Sequence, residues 1–161
     1  ISGSMRGEEL EILKNSIKHF VDLIPDDGTE LCITAFNSRN HFISDFSTNK
    51  SVLKSKIDDL SAGGGTDFDA AFLNPMAGAL LAVENGRFLN KSVIIITDGF
   101  ASGDENKIIS KGKSIKSRVF GILVNNEAPV ILKNIFRETG GKSFDNIITE
   151  SDYNESLRSL H

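Results

Sequence analysis

One stretch of the chain restricts its fold more than any other: the run KSVIIITDG at residues 91–99. Its centre, residues 93–97, is an unbroken series of β-branched residues, which favour strands because branching at Cβ restricts the side chain in a helix. A strand with one face in water alternates apolar and polar side chains, whereas a strand buried on both faces does not. The run therefore predicts an inner strand of a parallel sheet that helices cover on both sides.

Helical and extended patterns alternate along the rest of the chain. The predicted helices cover residues 6–24, 47–60, 75–86, 104–117, 129–141 and about 151 onwards, and the predicted strands cover 30–38, 41–46, 91–97, 118–124 and 142–144. The strands before and after the turn NSRN form an antiparallel hairpin in this interpretation. The order predicts an α/β fold: a Rossmann-like, doubly wound, mostly parallel central sheet with one antiparallel edge strand and helices on both faces. No linker divides the chain, so residues 1–161 are expected to form a single domain.

The segment between the second helix and the inner strand is rich in glycine and in residues that begin helices. Residues 61–72, SAGGGTDFDAAF, are predicted to form a loop. Asn74 and Pro75 are suited to the N-cap and first position of the next helix, which Asn85 and Gly86 would end.

The composition excludes several classes of partner. With 18 basic and 22 acidic residues the formal net charge is −4, so the overall charge favours neither nucleic acid nor an anionic membrane surface. The apolar runs are too short to span a bilayer, which predicts no direct membrane insertion. The single cysteine, Cys32, allows no internal disulfide and no cysteine-based zinc site, and its β-rich surroundings predict a buried, unreactive thiol. A cell-surface or secreted location and a cytoplasmic one are both compatible with this composition.

Three loops carry small side chains with oxygen atoms. The loops are SGSM at residues 2–5, GGGTD at 63–67 and TDG at 97–99, and their oxygen donors are Ser2, Ser4, Thr66 and Asp98. Ligands of open α/β sheets bind beyond the carboxyl ends of the strands, where such loops lead into helices. Hydroxyl and carboxylate oxygens are the ligands that Mg²⁺ prefers. Because this donor set holds little negative charge, a bound cation is expected to attract an anionic ligand from outside.

At these residues the chain resembles the von Willebrand factor A family, which occurs in integrins, matrix proteins and many bacterial proteins. The metal-ion-dependent adhesion site of that family combines an Asp-x-Ser-x-Ser turn, a threonine in a later loop and an aspartate that ends the fourth strand. ISGSMRG is similar to the turn without its aspartate, GGGTD supplies the threonine, and IIITDG supplies the aspartate. The resemblance extends from Ile1 to about Leu160, including the ETGGKSF segment.

The resemblance implies a role for each of these residues. Ser2 and Ser4 would bind Mg²⁺, Mn²⁺ or Ca²⁺ directly, Thr66 would bind it directly or through water, and Asp98 would act through water. The Asp or Glu carboxylate of a partner protein would complete the coordination. The surface around the cation would be formed by Gly3, Met5, Gly65, Asp67, Gly99 and Phe100.

The printed sequence departs from the family at its beginning. The aspartate of the turn would stand immediately before Ile1, and the family's first strand, which lies at the centre of its sheet, would precede that aspartate. A sheet without its middle strand leaves two rows of backbone groups unpaired, at about 1–3 kcal/mol for each buried group. We therefore expect a strand ending in aspartate to precede Ile1, in a further segment or a companion chain, and to lie beside VIIIT.

Each motif also has a simpler interpretation. Ser2 and Ser4 lie in a sequence that resembles a cloning remnant, and GGGT is also typical of a flexible loop. Aspartate after a strand commonly caps the next helix, which is the alternative role for Asp98. Asp67 and Asp69 are alternatively acids of a first helical turn or hydrogen-bond acceptors behind the site, and the first role is favoured for Asp69.

These observations favour a non-enzymatic, metal-dependent protein-binding module within a larger polypeptide or complex. The first alternative is a Rossmann-like nucleotide-binding or metal-dependent phosphoryl-transfer enzyme at the same sheet edge. Against it, the sequence contains neither GxGxxG after a strand nor a GxxxxGK[ST] loop. The second alternative is a domain of the same family with a degenerate site that binds no metal.

Overall fold

The computed structural model describes residues 6–25, 27–36 and 40–160. Helices and strands alternate over most of this part of the chain. The elements in chain order are α1 (Glu8–Leu23), β1 (Leu31–Phe36), β2 (Asn40–Ser47), α2 (Lys50–Asp58), α3 (Phe68–Leu73), α4 (Ala79–Glu84), β3 (Lys91–Thr97), α5 (Glu105–Ser114), β4 (Ser117–Val124), α6 (Val130–Thr139), β5 (Ser143–Ile147) and α7 (Glu150–Arg158). None of the helices in these ranges combines the length and the apolar character that crossing a bilayer requires.

The strands form two sheets where the sequence predicts one. β3, β4 and β5 form a parallel sheet in that order, and β1 pairs with β2 in an antiparallel hairpin. The α/β class, the parallel pairing and the hairpin agree with the prediction. The single central sheet is seen only in part, because the first strand that the sequence analysis expects beside VIIIT is not among the described residues and β1 and β3 do not pair with each other.

Helices cover β3 on both faces, as its continuous β-branched sequence predicts. Val93 and Ile95 pack in a core formed with α3, α4, α5 and α6. Ile94 and Ile96 point the other way and pack in a second core, formed with α1 and α7. Successive side chains of a strand alternate between its faces, so a strand between two cores must be apolar at every position.

A cleft of about 710 Å³ separates the two sheets. Its walls include the whole of β1 and residues 91–96 of β3. Cys32 lies half-buried in the β1 wall, and burial raises the pKa of its thiol to about 12. Such a thiol is almost entirely protonated at neutral pH. Its partly exposed position differs from the buried one that the sequence predicts.

The glycine-rich loop is shorter than the sequence predicts, because α3 begins inside it at Phe68. The Asp67 side chain accepts a hydrogen bond from the Ala70 backbone N–H (3.2 Å) and caps this helix. Phe68 and Phe72, one turn apart, are fully buried. The segment Phe68–Leu73, between the glycines and Asn74, is therefore a helix rather than part of the loop.

The next helix starts later than predicted. Asn74 accepts hydrogen bonds from Met76 N (2.8 Å) and Ala77 N (3.3 Å), so it does cap the backbone there, but it caps a turn. α4 begins at Ala79, after Gly78. A Cβ at Gly78 would lie 2.5 Å from Asn74 N, so the turn that Asn74 caps packs closely against Gly78.

The two last helices end and begin as their sequences predict. α6 ends at Gly140, whose φ of 79° is the left-handed conformation that favours glycine. α7 begins at Glu150, one residue before the predicted start, and Thr149 and Asp152 cap it reciprocally. Backbone N–H groups of Thr149 and Ile148 donate to the Asp152 carboxylate and lower its pKa below the ordinary value.

Candidate functional site

Asp98 lies at the carboxyl end of β3, immediately after Thr97. The Asn126 amide donates a hydrogen bond to the Asp98 backbone carbonyl (2.6 Å), which ties the end of β3 to the loop after β4. Gly99 follows with a φ of 138°, and its N–H donates to Thr97 Oγ1 (3.3 Å). α5 is capped by Asp104, which accepts from Lys107 N, so capping of that helix is not the role of Asp98.

The loop that carries Thr66 is anchored to the loop that follows Asp98. The Phe68 backbone N–H donates to the Ser102 carbonyl (3.0 Å), and the Asp104 N–H donates to Asp69 Oδ1 (2.7 Å). Phe68 itself is fully buried. Thr66 is therefore two residues from Phe68, which this hydrogen bond holds at the same edge of the sheet as Asp98. The carboxyl end of GGGTD is consequently anchored rather than a free loop.

The other predicted site residues in these two loops differ in their hydrogen bonds and in their exposure. The Asp67 side chain is engaged as the α3 cap, and Asp69 has both a place in the first helical turn and a hydrogen bond across to Asp104. Gly65 is exposed, and a Cβ placed on it would contact nothing within 4 Å. Phe100 is 75% exposed and follows Asp98 by two residues.

The remaining predicted residues, Ser2, Gly3, Ser4 and Met5, lie outside the described residues. The structure nevertheless shows where α1 begins. Glu9 in its first turn accepts a hydrogen bond from the Asn125 amide (2.9 Å), directly after β4. The start of α1 therefore lies at the same sheet edge as the loops of Asp98 and Thr66.

Several polar residues at this edge escaped the sequence analysis. Asn125 and Asn126 directly follow the strand RVFGILV, the same position relative to β4 that Asp98 has relative to β3. The rule that ligands bind beyond the carboxyl ends of parallel strands would have identified them. Glu9 and Tyr153 had no such signal, because only the packing of α1 and α7 brings them to this edge.

Tyr153 of α7 is 1% exposed, and its hydroxyl has no hydrogen-bond partner among the described residues. Burial raises the pKa of the phenol, and the negative charges of Glu9 and Asp98 raise it further. A buried polar atom without a partner is uncommon in folded proteins, and here it is found beside the candidate site.

Replacing Tyr153 with phenylalanine is expected to raise the free energy of unfolding by about 1 kcal/mol at neutral pH, because the change removes a buried hydroxyl without a hydrogen bond. Urea denaturation followed by circular dichroism measures the change. The same two proteins also give a pH test. A phenol whose folded pKa is raised contributes stability that is complete below its ordinary pKa of about 10 and is lost as the pH rises above it.

The wild-type chain should therefore lose stability more steeply than the phenylalanine variant above about pH 10. Tyr153 is the only tyrosine of the chain, so its ultraviolet absorbance reports the ionisation of this phenol alone. Equal pH slopes in the two proteins, or a loss of stability in the variant at neutral pH, would contradict the prediction.

The chemistry of the edge suits a hard cation with few protein charges. In the described ranges, no three His, Cys, Asp or Glu side chains come together as a metal site. Thr66 and Asp98 supply a hydroxyl and a carboxylate, and Mg²⁺ bound by so few carboxylates keeps several water ligands. These two residues fit a cation site only if further oxygen ligands join them. The sequence analysis predicts that the hydroxyls of Ser2 and Ser4 are those ligands.

Comparison with known proteins places these features in a family. The von Willebrand factor type A domain family matches residues 1–161 of the chain. A von Willebrand factor type A structure from Catenulispora acidiphila superposes with a TM-score of 0.76 at 17% identity, covering 99% of this chain and 39% of that protein. An aerotolerance-related membrane protein from Bacteroides fragilis gives a TM-score of 0.71 at 16% identity, covering 98% of this chain and 94% of that protein.

A third structure contains a metal. Proximal thread matrix protein 1 from the mussel byssus, with a zinc-occupied MIDAS motif (the metal-ion-dependent adhesion site), gives a TM-score of 0.68 at 17% identity. This chain is covered to 99% and corresponds to 44% of the mussel protein. At such identities the structures demonstrate only a shared fold. The family match over residues 1–161 identifies the family itself. The chain belongs to the von Willebrand factor type A domain family.

Proposed function

We propose that the domain is a metal-ion-dependent protein-binding module with an adhesive or scaffolding role. A divalent cation, Mg²⁺ or alternatively Mn²⁺ or Ca²⁺, is held at the carboxyl edge of the sheet. Ser2, Ser4 and Thr66 supply hydroxyl ligands, and Asp98 holds a water on the cation. An acidic side chain of a partner protein takes the remaining position.

One observation carries this proposal: two loops far apart in sequence are fastened together at one edge. Phe68 N–Ser102 O (3.0 Å) and Asp104 N–Asp69 Oδ1 (2.7 Å) join the Thr66 loop to the Asp98 loop. The start of α1, through Glu9, lies at the same edge. The segment that carries Ser2 and Ser4 comes shortly before α1 in sequence. A site assembled from three loops is preorganised when hydrogen bonds outside the site hold the loops together.

The electrostatics of the site explain why the partner would be acidic. Asp98 is the only carboxylate among the four proposed metal-binding residues, so a divalent cation keeps a net positive charge there. An external carboxylate then gains a charge-assisted contact that a neutral side chain cannot offer. Phe100, exposed beside Asp98, adds an apolar contact for the partner.

Family membership also favours a binding module over an enzyme. The polar residues that hydrogen bonds place at this edge are Asp98, Glu9 and the Asn125–Asn126 pair. Fold alone does not assign function, so the proposal depends on the cation test that follows.

Titration of the full chain with Mn²⁺ tests the proposal, because this ion replaces Mg²⁺ and broadens the NMR signals of nearby nuclei. We expect broadening centred on Thr66 and Asp98. Asp98→Ala is expected to weaken Mn²⁺ binding by about 10–100-fold, since residues that act on a metal through an intervening ligand have effects of this size. Thr66→Val, which removes the hydroxyl and keeps the shape, should weaken binding in the same direction.

Asp104→Asn is the matched control. It removes a carboxylate from the same pair of loops, while asparagine keeps the ability to cap α5. Mn²⁺ affinity should stay within about twofold of wild type in this variant, a change of less than about 0.5 kcal/mol. Broadening elsewhere in the chain, or equal loss of affinity in Asp98→Ala and Asp104→Asn, would contradict the proposed site. Absence of any site-specific broadening in the wild-type chain would favour a domain that binds no metal.

A further inference from the structure

Basic side chains gather where β4 and β5 begin, at the end of the sheet opposite the candidate metal site. Residues 106–126 contain five basic residues and no acidic one, although the whole chain has a formal net charge of −4. Three of the five, Lys107, Lys111 and Lys113, form ion pairs with carboxylates. The other two, Lys116 and Arg118, lie at the start of β4, and both are exposed. The excess of positive charge is therefore local, in a chain that is acidic as a whole.

Arg118 and Lys142 point to the same face of the sheet, because each lies over a phenylalanine two residues further along the chain. Arg118 Cζ is 5.5 Å from the centre of the Phe120 ring, and Lys142 Nζ is 4.9 Å from the centre of the Phe144 ring. Phe144 packs against the core formed with α1 and α7. A Cβ on Gly121, the residue after Phe120, would overlap a side chain of α6 on the other face. Successive residues of a strand alternate between its faces, so both cations lie on the α1–α7 face.

The two cations are close together because their strands are neighbours. Gly121 pairs with Ser143, and the Gly121 N–H donates to the Lys142 carbonyl (3.0 Å). This register puts Lys142 one strand across from Arg118 and two residues further along. With strands about 4.8 Å apart and a rise of about 3.3 Å per residue, the two Cα atoms are separated by about 8 Å. On the other side of Arg118 its partner in β3 is Ser92, which is small and exposed.

Neither cation is neutralised within the part of the chain that the structure describes. Arg118 and Lys142 are both exposed, and no carboxylate of the described ranges forms an ion pair with either of them. Attraction to the face of a phenylalanine ring uses none of the N–H donors of a cation. The guanidinium of Arg118 can therefore still bind a carboxylate through two parallel hydrogen bonds. The rings help to hold the two charges in place and leave their donors available.

The charge of the remaining surface restricts what can bind there. A nucleic acid or an anionic membrane extends beyond these few residues and would meet the acidic remainder of the chain. A short acidic peptide reaches the basic residues alone. In an extended peptide, alternate side chains lie on one side at about 6.6–6.8 Å, which is close to the separation of the two cations. Acidic residues at alternate positions would thus place one carboxylate at Arg118 and the next at Lys142.

We propose that Arg118 and Lys142, with Lys116 beside them, form a basic patch that binds an extended acidic segment of a partner protein, with Asp or Glu at alternate positions. The patch lies at the opposite end of the sheet from Asp98, so its occupant leaves the proposed cation site open. The domain would then hold one acidic partner through the cation and a second one directly. Because side chains alone supply the positive charge of the patch, binding there is independent of metal and does not rest on the function proposed above.

The probe is the peptide Glu-Thr-Glu-Thr-Glu with blocked ends, titrated into the full chain at low salt and followed by NMR. We expect shifts of the backbone amides at residues 116–120 and 142–144, unchanged by EDTA. A variant that combines Arg118→Gln and Lys142→Gln should bind the peptide about five- to tenfold more weakly, because exposed charge pairs each contribute modestly. Arg118→Lys keeps the charge and loses the planar fork, so it should weaken binding less than Arg118→Gln.

A variant that combines Lys107→Gln and Lys133→Gln is the matched control. It removes the same charge from two exposed lysines that pair with Asp104 and Glu127. Its affinity should stay within about twofold of wild type, because distant charges are screened by salt. The peptide Glu-Glu-Glu-Thr-Thr has the same composition without the alternation and should bind more weakly than the probe.

Four results would overturn the proposal. The first is equal weakening in the two double variants, and the second is equally tight binding of the rearranged peptide. The third is the absence of shifts at about 1 mM probe. The fourth is a loss of binding in EDTA, which would place the peptide at the cation site instead. Binding of DNA or of phosphatidylserine vesicles to the same residues, tighter than that of the peptide, would also overturn it and assign the patch to an extended polyanion.

Discussion

A chain in which alanine replaces Gly141 is expected to lose at least about 3 kcal/mol of its free energy of unfolding, because a side chain at this position overlaps backbone. A Cβ on Gly141 would lie far inside the van der Waals contact distance from the Val119 carbonyl oxygen in β4. Gly141 is held there from both sides, since its N–H donates to the Phe136 carbonyl (2.8 Å) and the next residue pairs with Gly121 (3.0 Å). Neither α6 nor β4 is free to move aside.

Thermal denaturation measures the loss, which for a chain of this size corresponds to a fall in melting temperature of about 6–12 °C. Gly63→Ala is the matched control: a Cβ there meets nothing within 4 Å. Its stability should stay within about 0.5 kcal/mol of wild type. If both variants lose the same amount, the close approach of Gly141 to β4 is not the cause.

Replacing Leu132 with alanine is expected to cost about 2–5 kcal/mol, the range for removing most of a large buried side chain and leaving part of its volume as a cavity. Leu132 lies in α6 and is 0% exposed. It packs in the same core as Ile108 of α5 and Leu123 of β4. Because that core lies between the helices and one face of the sheet, neighbouring side chains have little freedom to fill the space. The loss is measured by urea denaturation as a lower midpoint at an unchanged slope.

Val130→Ala provides the comparison within the same helix. Val130 is 72% exposed at the first position of α6, so its truncation opens no cavity. Alanine is also the better helix former, and the change should stay within about 0.5 kcal/mol of wild type. A cost at Leu132 no larger than the cost at Val130 would mean that the α6 core is not packed as the structure shows.

Much of the fold could be predicted from the sequence, because its strongest patterns are local. The β-branched run of β3 allowed only a strand with two covered faces, and the structure places helices on both. Gly140 ends α6 in a left-handed conformation that few other residues adopt. These features depend on the backbone preferences of a few adjacent residues, so their surroundings change them little.

The sequence predictions differ from the structure where contacts with residues distant in sequence determine the local conformation. α3 was hidden in a glycine-rich segment, because burial of Phe68 and Phe72 outweighs the low helix propensity around them. The predicted single sheet is seen only in part, as a three-stranded sheet and a hairpin, because the strand expected beside VIIIT is not among the described residues. Propensity describes a segment by itself and contains no information about its neighbours across a sheet.

The candidate site shows the same division. Thr66 and Asp98 were found from the sequence, since each stands in a recognisable loop after a predictable element. That Phe68 bonds to Ser102, and so fastens the two loops together, is a tertiary contact. The metal role of Thr66 and Asp98, and that of Ser2 and Ser4, stays a prediction until the Mn²⁺ titration is made.

The sequence by itself determined the family, the order of helices and strands, and the strand that is apolar on both faces, because these follow from motifs and periodicities within short segments. Only the tertiary structure decided that Glu9, Asn126 and Tyr153 meet at the edge of Asp98, and that a cleft lined by strand edges lies between β1 and β3. The physical reason is that both results depend on how separate elements pack, and packing is determined by the fit of whole surfaces that no single segment encodes.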